Sequence, residues 1–180
     1  LRSAGVAPQP KSSSDDEDGR HSPLNDKIRK NMMRRATELL KMMCKAASGD
    51  EKAYDVKLKP VQKSKMIQSV QAALSESREM STILLDQGLL RTLQRWLRPY
   101  KDRHTLLSDK ARGIILQLVL EMPVKLKHIM NSNSFGKLLM QFVSLDRDLI
   151  HQIVIKWSHL TAQKSEYLDD DGNLILNDDG

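Results

Sequence analysis

The stretch from Lys110 to Met122 carries Ile114, Ile115, Leu116, Leu118, Val119 and Leu120. At the helical 100° per residue these side chains leave in almost every direction. A helix apolar nearly all round must be enclosed by other elements, so this segment belongs in the middle of a helical bundle. Pro123 stops it, and Ser108 or Asp109 stands where an N-cap belongs.

The neighbouring segments supply one-sided stripes that suit the layer around such a helix. Asn25 and Asp26 are placed to cap a helix from Lys27 to about Ala47, ended by Ser48-Gly49, with Ile28, Met32, Ala36, Leu39, Leu40 and Met43 on one face. A second helix, about Val61 to Ser75, offers Met66, Ile67, Val70 and Leu74. Ser81 is positioned to cap a short helix through Ile83, Leu84 and Leu85, closed by Gly88. Leu89 to Leu97 follows, with Leu93, Trp96 and Leu97 on its apolar side and Pro99 beyond its end. After the central helix come a short turn of helix with Leu126, Ile129 and Met130, a helix from Phe135 to Val143 capped by Ser134, and a last helix capped by Asp146. That last helix spaces Ile150, Ile153, Val154 and Trp157 at i, i+3, i+4 and i+7. Trp96 and Trp157 both fall on the core side. No segment reads as a strand, and no clean sequence period marks true repeats. The expected fold is all-α: a right-handed helical bundle of about seven or eight helices with disordered acidic termini.

Charge divides the chain in the same places. Net charge is −2 over residues 1–26, +6 over 27–47, +1 over 48–80, +6 over 81–160 and −5 over 161–180. Residues 1–23 form a Ser- and acid-rich tail with Pro8, Pro10 and Pro23. Its run Ser12-Ser13-Ser14-Asp15-Asp16-Glu17-Asp18 suits an acid-directed kinase, although a solvated tail is the plainer reading. The bundle is expected over 24–162, as basic N-terminal helices (24–80) and a denser core (81–160). An acidic tail takes 163–180. Asp169-Asp170-Asp171-Gly172-Asn173 in that tail begins like a calcium loop, but Gly180 occupies the twelfth position, where the closing Glu would stand. The chain opens on Leu1, which suggests an excerpt of a longer protein.

Chemistry is scarce. One Cys excludes an internal disulfide framework and a Cys-built zinc site, and points to a reducing compartment. Cys44 lies in a Met-rich stripe and reads as a small buried hydrophobe rather than a nucleophile. The five His show no i, i+4 zinc pair, and neither phosphate-cradling glycine motif is present. Asp86, Glu121 and Asp146 look like caps and helix-end charges. These absences leave no catalytic constellation, and no cofactor or metal is expected.

What remains is an ordered series of short motifs: Leu84-Leu85-Asp86-Gln87-Gly88-Leu89-Leu90, then Trp96-Leu97-Arg98-Pro99, Met122-Pro123-Val124, His128-Ile129-Met130-Asn131-Ser132, Ser134-Phe135-Gly136-Lys137-Leu138-Leu139-Met140, and Ile153-Val154-Ile155-Lys156-Trp157-Ser158. The order resembles the N-terminal (LW) domain family of transcription elongation factor S, nearest the branch whose elongation factor interacts with the histone chaperone Spt-six. The likeness covers about 75 to 80 of the 180 residues and rests on joint order and spacing. It implies a nuclear, non-enzymatic interaction module of the RNA polymerase II elongation machinery, binding short disordered segments of elongation and histone-chaperone factors.

On that reading a partner's apolar anchors enter a cleft formed by Met122, Val124, His128, Ile129 and Phe135. Its acidic flanks meet Lys110, Arg112, Lys125 and Lys137 at the rim. For each apolar residue taken alone, core packing is the plainer role. Gly136 is expected to allow close helix approach. The chain's own acidic segment Tyr167–Leu176 has the composition to compete for the same groove. The alternative function is direct nucleic-acid or nucleosome binding through the basic helix 27–47, with Lys30, Arg34, Lys41 and Lys45 on one face and Arg91, Arg95, Arg98, Lys101 and Arg103 clustered elsewhere.

Overall fold

In a computed structural model of the chain, residues 23–101, 105–132 and 134–166 are described. They form eight helices and, among the described residues, no strand. In chain order these are α1 (Pro23–Asp55), α2 (Gln62–Glu76), α3 (Arg78–Asp86), α4 (Leu89–Leu97), α5 (Asp109–Glu121), α6 (Leu126–Met130), α7 (Phe135–Met140) and α8 (Arg147–Glu166). Both tail motifs, Ser12–Asp18 and Tyr167–Leu176, lie outside the described residues, as does Arg103.

The chain packs largely against its own recent past. Helices α1, α2 and α3 pack on one another; α4 joins α1 and α3; α2 then meets α5, against which α8 lies. The short helices α6 and α7 also touch α8. One apolar core runs through all of this, from Met32 and Met43 through Leu84, Leu93 and Trp96 to Ile115, Val119, Phe135, Ile153 and Trp157. Both tryptophans are buried in it. The Trp96 Nε1 donates to the Met43 carbonyl at 2.9 Å, which satisfies the indole where it crosses α1.

Four parts of the chain depart from expectation. α1 does not stop at Ser48-Gly49 but runs eight residues past Ala47. The reason is tertiary. Asp50, buried on α1, accepts from the backbone amides of Gln62 (2.7 Å) and Lys63 (2.9 Å), and so caps α2, whose own N-cap residue Val61 has nothing to offer. Gly49 lies at the same junction, where the exposed Gln62 carboxamide rests over it: a Cβ there would meet that carboxamide at 2.4 Å. α1 finally ends where Lys57 turns left-handed (φ 61°). There the Leu58 amide donates to Ala53 and the Lys57 amide to Tyr54, a Schellman closure built without glycine.

Secondly, α3 is capped by Ser77, which accepts from the Met80 amide at 3.0 Å. Ser81 lies inside and donates to the Leu74 carbonyl at 2.7 Å. Gly88, at φ 95°, does close the α3–α4 corner as expected. Thirdly, Asp146 caps nothing with its side chain but pairs with Arg112, and α7 ends at Met140 in a run of turns rather than reaching Val143. Fourthly, α8 extends to Glu166, past the expected boundary at 162, and Val154 on it is exposed. Ile28 is likewise exposed, near the start of α1.

Candidate partner-binding surfaces

The nine sequence-predicted contact residues do not converge on one open cleft. Met122, Val124 and Phe135 are core residues, with Phe135 tilted against Trp157 at 5.8 Å between ring centres. His128 is buried as well. Its Nδ1 accepts from the Lys125 amide at 3.0 Å, closing the first turn of α6, and its Nε2 lies 3.0 Å from Asp86 at the end of α3. Lys127 and then His128 hold the Asp86 carboxyl below its ordinary range.

Arg112 is no rim residue. Its side chain is 4% exposed, pairs with Asp146, lies 3.0 Å from Asp109 and donates to the Leu107 carbonyl at 3.4 Å. It ties the start of α5 to the turn before α8. Of the set, Ile129 is half-buried, and Lys110, Lys125 and Lys137 are exposed. A Cβ on Gly136 would meet nothing within 4 Å, so that glycine is not a close-approach point.

The apolar recess instead lies between α7 and α8. It is lined by Met140, Val143, Arg147, Asp148, Ile150, His151 and Val154 and encloses about 320 Å³. Met140 is 58% exposed and Val154 is 38% exposed, and the two present apolar surface to the same recess. Lys137, one turn before Met140 on α7, keeps a cation beside it. Sequence reading missed Met140 and assigned Val154 to the core. The available signal was surplus: Ile150, Ile153 and Trp157 already complete a core stripe on α8.

A second, larger recess of about 810 Å³ separates the C-terminal half of α1 from α4. Its α1 wall includes Cys44, Ser48, Glu51 and Lys52; the opposite wall includes Arg91 and Arg95 of α4 and Arg98 just past its end. Cys44 is therefore exposed rather than buried. Arg95 grips Glu51 through two bonds of 2.9 and 2.7 Å and donates to Ser48 Oγ at 2.9 Å, which holds the Glu51 carboxyl below its ordinary range. Deeper in, the buried Lys63 ammonium sits 4.5 Å above the Tyr100 ring and donates to the Trp96 carbonyl at 3.4 Å. Burial drives its pKa down, and drives that of Tyr100 up to about 12. Tyr100 stacks on Tyr54 at 4.8 Å. The four alternative nucleic-acid residues, Lys30, Arg34, Lys41 and Lys45, are all exposed on one side of α1.

Among the described residues no group of His, Cys, Asp or Glu could hold a metal ion, and no helix is long and apolar enough to cross a membrane.

No family model matches the chain, and no curated protein matches it. A solved structure does: the crystal structure of a Spt6-Iws1(Spn1) complex from Encephalitozoon cuniculi, at a TM-score of 0.62 and 20% identity, over 73% of this chain and 96% of that one. The fold is that of an Spn1/Iws1-like helical domain. This agrees with the likeness read from the motif order between Leu84 and Ser158. At this identity the match speaks for the architecture, and the surfaces of the Spn1/Iws1-like fold described above are this chain's own.

Proposed function

We propose that this chain is a non-catalytic docking module of the nuclear transcription elongation machinery, which binds a short unstructured segment of an elongation or histone-chaperone factor in the recess between α7 and α8. The observation that carries the reading is the pairing of exposed Met140 and Val154 with the flanking cations Lys137 and Arg147. An amphipathic segment places one or two apolar anchors in such a recess and its acidic flanks against the cations. The solved structure of similar fold is a complex with Spt6, which supports a partner of that class.

The test is calorimetric titration of the chain with overlapping peptides covering Spt6. Met140→Glu and Val154→Glu are each expected to weaken the best peptide at least tenfold while leaving the melting temperature in place, because neither side chain belongs to the core. Lys101→Glu, in the other recess, should bind as the parent does. Equal binding by all three variants, or no peptide bound at all, would refute the assignment.

A further inference from the structure

The solvent side of α1 carries a feature the docking recess does not use. Relative to Lys30, helical geometry puts Arg34, Lys41, Lys45 and Lys52 within about 60° of one another around the axis. All five are exposed. Among the described residues Lys30, Lys41, Lys45 and Lys52 pair with no carboxylate, and Arg34 donates only to the neutral Asn31 at 3.1 Å. The cations that do have carboxylate partners here lie elsewhere: Arg35 with Glu76, Arg95 with Glu51, Lys101 with Asp55. Among these residues none of the five is thus neutralised by a direct ion pair, and the carboxylate of Glu38, a turn from both Arg34 and Lys41, leaves the stripe strongly positive. From Lys30 to Lys52 it spans about 33 Å at 1.5 Å per residue.

What lies between these cations narrows the occupant. The positions interleaved on this strip or along its edges are Thr37, Glu38, Cys44 and Ser48. There is no branched aliphatic or aromatic side chain for a peptide's apolar anchor to seat against, and protein partners need such anchors for affinity. A ligand that offers regularly spaced negative charge and nothing else suits it. The stripe's length is close to one turn of duplex DNA, about 34 Å. At its far end Lys52 faces Arg91 and Arg98 across the larger recess, which adds a second cationic edge there.

We infer that α1 is a phosphate-backbone contact surface for double-stranded nucleic acid, without base specificity, separate from the α7–α8 recess. Contacts of this sort release counterions. Five of them predict a slope of log K against log salt of about −4.5, so affinity falls about 500-fold between 50 and 200 mM salt.

The experiment is fluorescence anisotropy of the full chain with a labelled mixed-sequence 20-base-pair DNA duplex over that salt range. The parent should show the steep slope. K30Q/R34Q/K41Q/K45Q should leave a slope near −1 and at least tenfold weaker binding at 50 mM salt, with an unchanged melting curve, since none of the four is buried. A control that removes four cations outside the stripe, K57Q/K59Q/K65Q/R78Q, should stay within about threefold of the parent. A parent slope shallower than about −2 overturns the inference. So does a quadruple variant that binds as the parent does, or a polyglutamate peptide of matched charge that binds more tightly than the duplex. Peptide binding in the α7–α8 recess, measured on the same variants, reads the two proposals apart.

Discussion

Replacing Asp50 with Ala tests how the N-terminal half of the bundle is held. Asp50 is 1% exposed on α1, and both of its carboxylate oxygens are spent on the first turn of α2, at 2.7 and 2.9 Å. Val61, at the N-cap position itself, supplies no acceptor. The substitution therefore strips two amides that no other side chain serves. Loss of an N-cap side chain costs about 0.5–2 kcal/mol. Hydrogen bonds to a charged group are worth about 1.5–3 kcal/mol each, and a buried amide left unmade carries its own penalty. Asp50 also places negative charge near the buried Lys63, where it supports the charged form against desolvation. Together these give a loss of about 3 kcal/mol. Urea unfolding followed by circular dichroism should show a lower midpoint at unchanged slope, and thermal melting a drop of roughly 10 °C for a domain of this size. Asp50→Asn keeps one acceptor and should lose less. If Asp50→Ala unfolds within 0.5 kcal/mol of the parent, the α1–α2 junction is not held by this cap, and the explanation given for the length of α1 is wrong.

Gly49→Ala should be neutral or stabilise by up to about 1 kcal/mol in the same urea assay: Ala favours the helix by about that much, and the Gln62 carboxamide its Cβ would meet is the far end of an exposed side chain. Arg112→Ala leaves the largely buried Asp146 carboxylate without its partner and should cost about 3–5 kcal/mol, read as a fall in melting temperature at neutral pH. Acid should weaken the fold through Glu51. Its folded pKa is held below the ordinary 4.5 by the bonds from Arg95, so its contribution is complete above about pH 4.5 and is lost as pH falls through the lowered value. Melting temperatures from pH 7 to 3 should therefore decline less steeply in Arg95→Gln than in the parent.

Helix type and order were legible because periodicity is a local property. The α4 boundaries and both core tryptophans follow from spacing alone, whereas α5, expected in the middle of the bundle, packs chiefly on α2 and α8 and leaves Ile114 and Leu120 half-buried. Two of the misread points depend on a partner far along the chain, and a third on the angle a residue takes around its helix. Ser48-Gly49 carries a stop signal, yet the helix passes through it because Asp50 has a second helix to cap twelve residues later. Asp146 has the type and place of an N-cap, yet Arg112 takes its carboxylate. Cys44 sits among methionines, yet the angle it occupies on α1 belongs to the solvent side, with Lys41 and Lys45.

The contact surface was harder still, for a reason that lies in the signal itself. A groove wall and a core are written in the same residue types, so Met122, Val124 and Phe135 satisfy either description until the packing is known. All three pack inside. What separates a docking wall from a core stripe is excess: apolar residues left over once the buried face is complete. On α8, Ile150, Ile153 and Trp157 close the core, and Val154 and Ile155 are left outside it. On α7, Leu138 and Leu139 do so, and Met140 is the remainder. Met140 and Val154 line one recess because the turns of residues 141–145 bring α8 back beside α7, with Arg112 gripping Asp146 at the corner. The strut that looked like a contact residue in the sequence is thus what holds the exposed pair in register, and its loss should disturb binding through geometry rather than through charge.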